Sequence, residues 1–314
     1  MRRVAPLLLL CMAAATPEIP SPGAPMPPFK AERWVNSAPL TPEALRGKVV
    51  LVDFWEYTCV NCIRTLPYVK AWHRDYAKLG LVVVGVHAPE FEFGKRAENI
   101  DRGIREHGLT YPIAIDNEFS TWDAYSNNAW PAKYLFDSDG KLVKRWIGEG
   151  EYDDVEKEIR RLLARPGVKL PPVTPEVVAY SAADAGLRLG ITGETYLGAA
   201  RREAGTFTLE GAWQSRNEYV ELDKGTGKIV LPFVAGEVNL VMQPGPSGKA
   251  AVQVLVDGKP VGPARGADVG PDGVARFDRA GMIRLVARAS REKHVLTLVS
   301  SDPGLRAFAF TFGP

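Results

Sequence analysis

Residues Val49-Val50-Leu51-Val52-Asp53-Phe54-Trp55 form an unbroken apolar run with a single acid inside it. Such a run is a strand buried on both faces, the habit of a central strand in an α/β sheet, so helices must cover it from two sides. The following residues comply. A helical stretch at 60–78 carries Leu66, Val69, Trp72 and Tyr76, with Pro67 near its start. A second buried strand at 81–86, a charged amphipathic helix at 93–107 and a short strand at 111–115 repeat the alternation. Trp130-Pro131 precedes a strand at 133–136, and Asp137-Ser138-Asp139-Gly140 turns the chain into 141–147 as a hairpin. A helix at 152–163 closes the unit, predicting a mixed sheet covered on both faces.

At residue 165 the character changes. Pro166, Gly167, Pro171, Pro172 and Pro175 predict a stiff linker with few contacts crossing it. Beyond it, short β-branched or aromatic segments recur at 206–209, 219–222, 229–234, 238–242, 251–256, 275–277, 283–286, 295–299 and 307–312, many separated by turns such as Asp257-Gly258 and Asp272-Gly273. Regularly spaced strands without helices predict a β-sandwich of jelly-roll type. A length of 314 residues fits two domains. The 30 glycines and 25 prolines exclude a long helical bundle. Charge is nearly balanced, 39 basic residues against 37 acidic, which argues against a nucleic-acid partner held by phosphate neutralisation.

The N-terminus begins Met1-Arg2-Arg3 and continues apolar over 4–15, ending Ala13-Ala14-Ala15. That pattern is a secretory signal, too short for a bilayer span of roughly 20 residues. The expected organisation is therefore a signal peptide and Pro-rich tether at 1–28, an α/β domain at 29–165, a linker at 166–176 and the sandwich at 177–314. The expected location is periplasmic or otherwise extracytoplasmic. Lipid attachment at Cys11 is a competing reading, weakened because Leu10 stands where a small residue is usual.

Cys59-Val60-Asn61-Cys62 lies just after the first buried strand, at the first turn of a helix. Zinc needs about four ligands, and His73, His87, His107 and His294 lack ligand spacing, so no metal is expected. A structural disulfide closing so short a loop restrains the unfolded chain by only about 2 kcal/mol, against about 4.7 for a 100-residue loop. Redox chemistry remains, without a further cofactor. A thiolate at a helix N-terminus is favoured by the exposed N–H groups and the dipole, which predicts an exposed Cys59 with a lowered pKa. Asp53 interrupts an apolar strand where an ionised carboxylate is costly, so its pKa should rise and it could accept a proton from Cys62; the competing reading is an acid reaching solvent or Lys133.

The segment from Val52 through Asp53, Phe54, Trp55, Glu56, Tyr57 and Thr58 to Cys59 and Cys62 resembles the thioredoxin active-site strand and turn, and Trp130-Pro131 matches the cis-proline position. The lead-in from Leu40 to Trp55 is similar to the TlpA-like reductases. Three stretches, Tyr57 through Val69, His87-Ala88-Pro89-Glu90-Phe91-Glu92-Phe93 and Glu194-Thr195-Tyr196-Leu197-Gly198, resemble the soluble C-terminal portion of DipZ-type proteins. The resemblance implies a thioredoxin-like domain followed by a carbohydrate-binding-module-like jelly roll. It implies that Cys59 attacks, Cys62 resolves with Asp53 taking its proton, Glu90 stands at the active-site glutamate position of TlpA-like reductases, and Pro131 shapes the client-binding edge, with Trp55, Tyr57, Thr58 and Trp130 contacting substrate. Thr58 departs from thioredoxin, where tryptophan usually precedes the first cysteine.

The implied function is an extracytoplasmic reductase of client protein disulfides, apocytochrome c for example, fed by a membrane electron donor of the CcdA or DsbD kind. A thiol peroxidase on the same fold would need Pro-x-x-x-Thr-x-x-Cys, whereas Thr58 directly adjoins Cys59. A third reading is a carbohydrate-binding envelope module: Trp213, Tyr219 and Tyr196 could stack on sugar rings if exposed, the alternative being core positions. Arg201-Arg202-Glu203 reads as a solvated turn.

Overall fold

A computed structural model describes residues 20–183, 190–203, 205–287 and 292–314. The signal segment and Cys11 lie outside the described residues. The first sheet contains β1 (Arg33–Val35), β2 (Val49–Trp55), β3 (Leu81–His87), β4 (Ile113–Ile115), β5 (Ala132–Phe136) and β6 (Leu142–Ile147), in the spatial order β1-β4-β3-β2-β5-β6. Around it lie α1 (Val60–Tyr76), α2 (Ala97–Glu106), α3 (Ser120–Ala124) and α4 (Tyr152–Leu163). β2 is central, parallel to β3 and antiparallel to β5, and all seven of its residues are buried. Its period of two sorts them: Val50, Val52 and Phe54 enter an apolar cluster with Trp122 and Tyr125, while Val49, Leu51 and Trp55 join the cluster that holds both cysteines. Asp53 faces the cysteine side.

The Pro-rich segment before residue 29 is not a loose tether where it is described. Gly23 N–H donates to Leu142, Met26 N–H donates to Gly140, and Met26 is buried. Prolines suit this edge because they need no ladder donor. The segment expected as a linker is likewise docked. Thr174 N–H and Oγ donate to the buried Glu156 carboxylate at 2.9 and 2.7 Å, Arg160 donates to the Pro171 carbonyl, and α5 (Pro175–Ala183) buries Val177 in the first domain's core.

The remaining strands are β7 (Thr195–Tyr196), β8 (Thr208–Ser215), β9 (Val220–Val234), β10 (Glu237–Gln243), β11 (Ala250–Val256), β12 (Lys259–Pro260), β13 (Val274–Phe277), β14 (Gly281–Ala287), β15 (Lys293–Ser300) and β16 (Arg306–Gly313). All pairings are antiparallel. In place of a jelly roll of two separate sheets, continuous ladders join all ten strands into one curled sheet. The device is β9, in which the two expected strands merge into 15 residues that pair with β8 along much of their length, β15 at one end and β16 at the other. Gly198, just after β7, is closely packed: a Cβ there would lie 2.1 Å from the Glu218 carbonyl carbon. No helix among the described residues is long and apolar enough to cross a membrane.

Candidate active site

β2 delivers the chain to a turn at Glu56-Tyr57-Thr58, and α1 begins immediately after it. Cys59 is the N-cap of α1: its backbone is extended and its Sγ accepts the Cys62 N–H at 3.2 Å, satisfying one of the orphan donors of the first turn. Both cysteines are free of disulfide partners and buried. Cys62 faces the odd-numbered side of β2, where Asp53 sits. The ladder sets Asp53 opposite Lys133 and Phe54 opposite Ala132, so Pro131, reached through a cis Trp130-Pro131 peptide, borders the end of β2 from which the redox turn springs.

Asp53 is 1% exposed and neither carboxyl oxygen has a hydrogen-bond partner. Burial pushes its pKa up to about 7, only partly opposed by Lys133. The expected alternative, a bonded Asp53–Lys133 pair, is absent: the Lys133 ammonium donates instead to the Gly148 carbonyl at 3.0 Å and lies over the Tyr152 ring. Burial also pushes the Cys62 thiol well above its ordinary range.

Cys59 departs from expectation. It is 9% exposed, and burial pushes its thiol up, with the Glu90 and Glu56 carboxyls adding to the rise despite its bond with Cys62. The second domain packs against the same apolar cluster. Phe308 packs on Phe91 and Phe93 with ring centroids 4.9 and 5.0 Å apart, and Val241, Phe308 and Ala309 share one apolar cluster with both cysteines. On α1, Arg64 bonds the Phe312 carbonyl and the Glu237 carboxylate. Glu90 is tied across the same boundary: it accepts from the Tyr196 hydroxyl at 2.6 Å and from Arg201 at 3.2 Å, and Arg201 covers the Tyr196 ring. Burial raises the pKa of Glu90 and takes that of neighbouring Glu194 to about 7.

Trp55, Tyr57 and Thr58 are buried instead of being presented openly to a client. Tyr57 is seated against Gly103 of α2, where a Cβ would fall 2.5 Å from its own. Tyr57, Thr58 and Ile63 still line a cleft of about 320 Å³ running between α2 and β14. Trp130 is partly exposed, with its indole N–H on the Ala88 carbonyl. The aromatics proposed as sugar platforms are engaged: Tyr196 on Glu90, Tyr219 against Phe308, and Trp213 against the second core. Arg201 is a bridge to Glu90 and no free turn. Sequence reasoning overlooked Glu56, whose Oε2 accepts the Thr58 N–H at 2.6 Å and hydroxyl at 2.5 Å inside the redox turn. Its only signal was an acid between two aromatics directly before the cysteines.

A family model described as AhpC/TSA family matches residues 22–145, and one described as Thioredoxin like C-terminal domain matches 185–313. Protein DipZ of Mycobacterium bovis is 34% identical over 311 residues, covering 89% of this chain and 41% of that protein. The chain thus spans about two fifths of the length of that relative. Thiol-disulfide oxidoreductase YkuV of Bacillus subtilis is 33% identical over 141 residues, covering 45% of this chain and 95% of YkuV. Thiol-disulfide oxidoreductase ResA of Bacillus cereus is 28% identical over 118 residues, covering 38% of this chain and 65% of ResA.

Proposed function

The chain belongs to the thioredoxin-like thiol-disulfide oxidoreductases, and on that premise we propose that it reduces disulfides of client proteins outside the cytoplasm, recharged by a membrane electron donor. The Cys59 thiolate attacks one client sulfur and forms a mixed disulfide while the other client sulfur leaves as a thiolate. Cys62 loses its proton to Asp53 and attacks Cys59, releasing the second client thiolate; two electrons pass to the client and the Cys59–Cys62 disulfide remains. The observation that carries this reading is the unpartnered Asp53 carboxyl on the Cys62 side of the sheet, an acceptor held in reserve with a pKa near 7. The direction has its own support. A stabilised thiolate makes an oxidant, whereas here burial, with the Glu90 carboxyl adding to it, opposes the Cys59 thiolate and withholds that stabilisation from the reduced form. The client approaches through the cleft beside Thr58 and Ile63. The arginine-led apolar segment at the N-terminus supports the extracytoplasmic location.

Two measurements test this. Cys62→Ser should accumulate a mixed disulfide through Cys59 on exposure to a disulfide client, and Cys59→Ser should accumulate little. The reduction potential of the Cys59–Cys62 couple should fall in the thioredoxin range, about −270 mV or lower, while a value near that of a strong oxidant, about −120 mV, would overturn the assigned direction.

A further inference from the structure

Glu56 is buried as a whole residue, as are the carboxylic acids Asp53, Asp116 and Glu156 among the described residues. Asp116 and Glu156 each engage both oxygens, Asp116 with the Thr121 and Trp122 N–H groups and Glu156 with Trp72, Tyr76 and Thr174. Asp53 engages neither. Glu56 is divided: Oε2 receives both Thr58 donors, while Oε1 has no hydrogen-bond partner and lies 3.9 Å from His87 Nε2. Neither ring nitrogen of His87 has a partner either, and the ring is held between Trp55 and Tyr57.

We propose that Glu56 is a positioning residue of the redox centre: Oε2 pins the turn that presents Cys59, and Oε1 holds a proton facing His87, so that this single proton sets the charge beside the attacking sulfur. The inference rests on the reading of Cys59 as the nucleophile. Burial keeps His87 neutral by pushing its pKa down to about 3, and raises that of Glu56 to about 8 against the pull of its Thr58 bonds. The other ionisable groups around the centre are Cys62 on α1, Arg33 of β1 toward His87, Glu90 after β3 with Tyr196, Arg201, Glu194 and Glu218 of the second domain, Arg96, Arg102 and His107 of the α2 region toward Tyr57, and Asp53 and Lys133 on the Cys62 side. With Oε1 protonated, Cys59 ionises against Glu90 alone among the neighbouring carboxyls; once the proton leaves, a second like charge opposes the thiolate.

Glu56→Gln in the full chain tests this, since the amide oxygen can still accept from Thr58 but the side chain cannot ionise. Iodoacetamide labelling of Cys59, located by mass mapping, should proceed at the parent rate at pH 6.5 and roughly three- to tenfold faster than the parent at pH 9. A role limited to pinning the turn survives the amide, so superposed rate profiles from pH 6.5 to 9.5 would overturn the proposal. Should the variant not fold, an assigned 13Cδ resonance of Glu56 in the parent decides: titration above pH 7 supports the held proton, and titration in the ordinary glutamate range overturns it. Labelling needs no client, so a chain that labels as described yet reduces no disulfide would defeat the functional reading and leave this one standing.

Discussion

The two ends of α1 each rest on a buried carboxylic acid, and the acids are treated in opposite ways. At the C-terminal end, Glu156 accepts from the Trp72 indole, the Tyr76 hydroxyl and both donors of Thr174. At the N-terminal end, Asp53 lies under Cys62 with no hydrogen bond at all. Burying a polar group is tolerable when its partners are supplied and costly when they are withheld. The Glu156 end is therefore built for stability, tying α1, α4 and the docked linker together. The Asp53 end gives up stability to keep a proton acceptor available.

The largest expected effect tests the stabilising end. Glu156→Ala strands the Trp72, Tyr76 and Thr174 donors and should cost about 3 to 5 kcal/mol. Denaturant unfolding that placed it within 1 kcal/mol of the parent would erase the contrast, and Cys59 labelling per folded molecule should stay at the parent rate.

Asp53→Asn probes the other end and should reverse the pattern. Resolution of the mixed disulfide should slow about a hundredfold, while stability is unchanged or higher. Rapid-mixing kinetics resolving attack from resolution would check it; equal slowing of both steps with a loss of stability would assign Asp53 a structural role.

The pH dependence sharpens the contrast. Asp53 titrates near 7 in the fold and near 4 when unfolded, so the folded chain binds the extra proton between those values. Its stabilising contribution is complete below about pH 4 and is lost as pH rises through 7. Glu56 acts with the same sign over a window reaching about 8. Asp53→Asn should remove the lower part of the resulting slope, and a stability curve between pH 4 and 8 with the parent's full slope would contradict the buried, unpartnered state.

The smallest effect concerns the tie between the two domains at Glu90. Arg201 is 38% exposed and its pair with Glu90 is correspondingly screened, so Arg201→Ala should alter stability by no more than about 1 kcal/mol and speed Cys59 labelling by no more than about fivefold. A far larger acceleration would mean that this one contact holds the second domain in place.

Much of the first domain was legible because its signals are local. The apolar run at β2, the paired cysteines at a helix start and the Trp130-Pro131 step each declare themselves within a few residues. Asp53 was legible because an acid inside such a run demands explanation. Glu56 was not, because an acid in a turn looks solvated until Thr58 and the burial of the turn are known. The exposed, low-pKa Cys59 failed for a similar reason: helix-terminus arguments assume an open terminus, and this one is buried in an apolar cluster that draws in residues about 250 positions away, such as Phe308. Pro-rich spacing gave no hint that Glu156 would capture Thr174, and turn residues at 223–228 divided on paper what β9 carries as one strand.

The crowding at Gly198 has a consequence for genetics. Any side chain there must displace the backbone at Asn217 and Glu218, and that segment supplies the carboxylate on the Glu92 N–H and leads into Tyr219 beneath Arg306. A saturation-mutagenesis map scored by disulfide turnover would therefore report Gly198 as intolerant to every replacement, alongside positions that handle electrons. The residue handles none; it is a spacer of zero size, and its intolerance would mark where the two halves of the molecule are measured against each other.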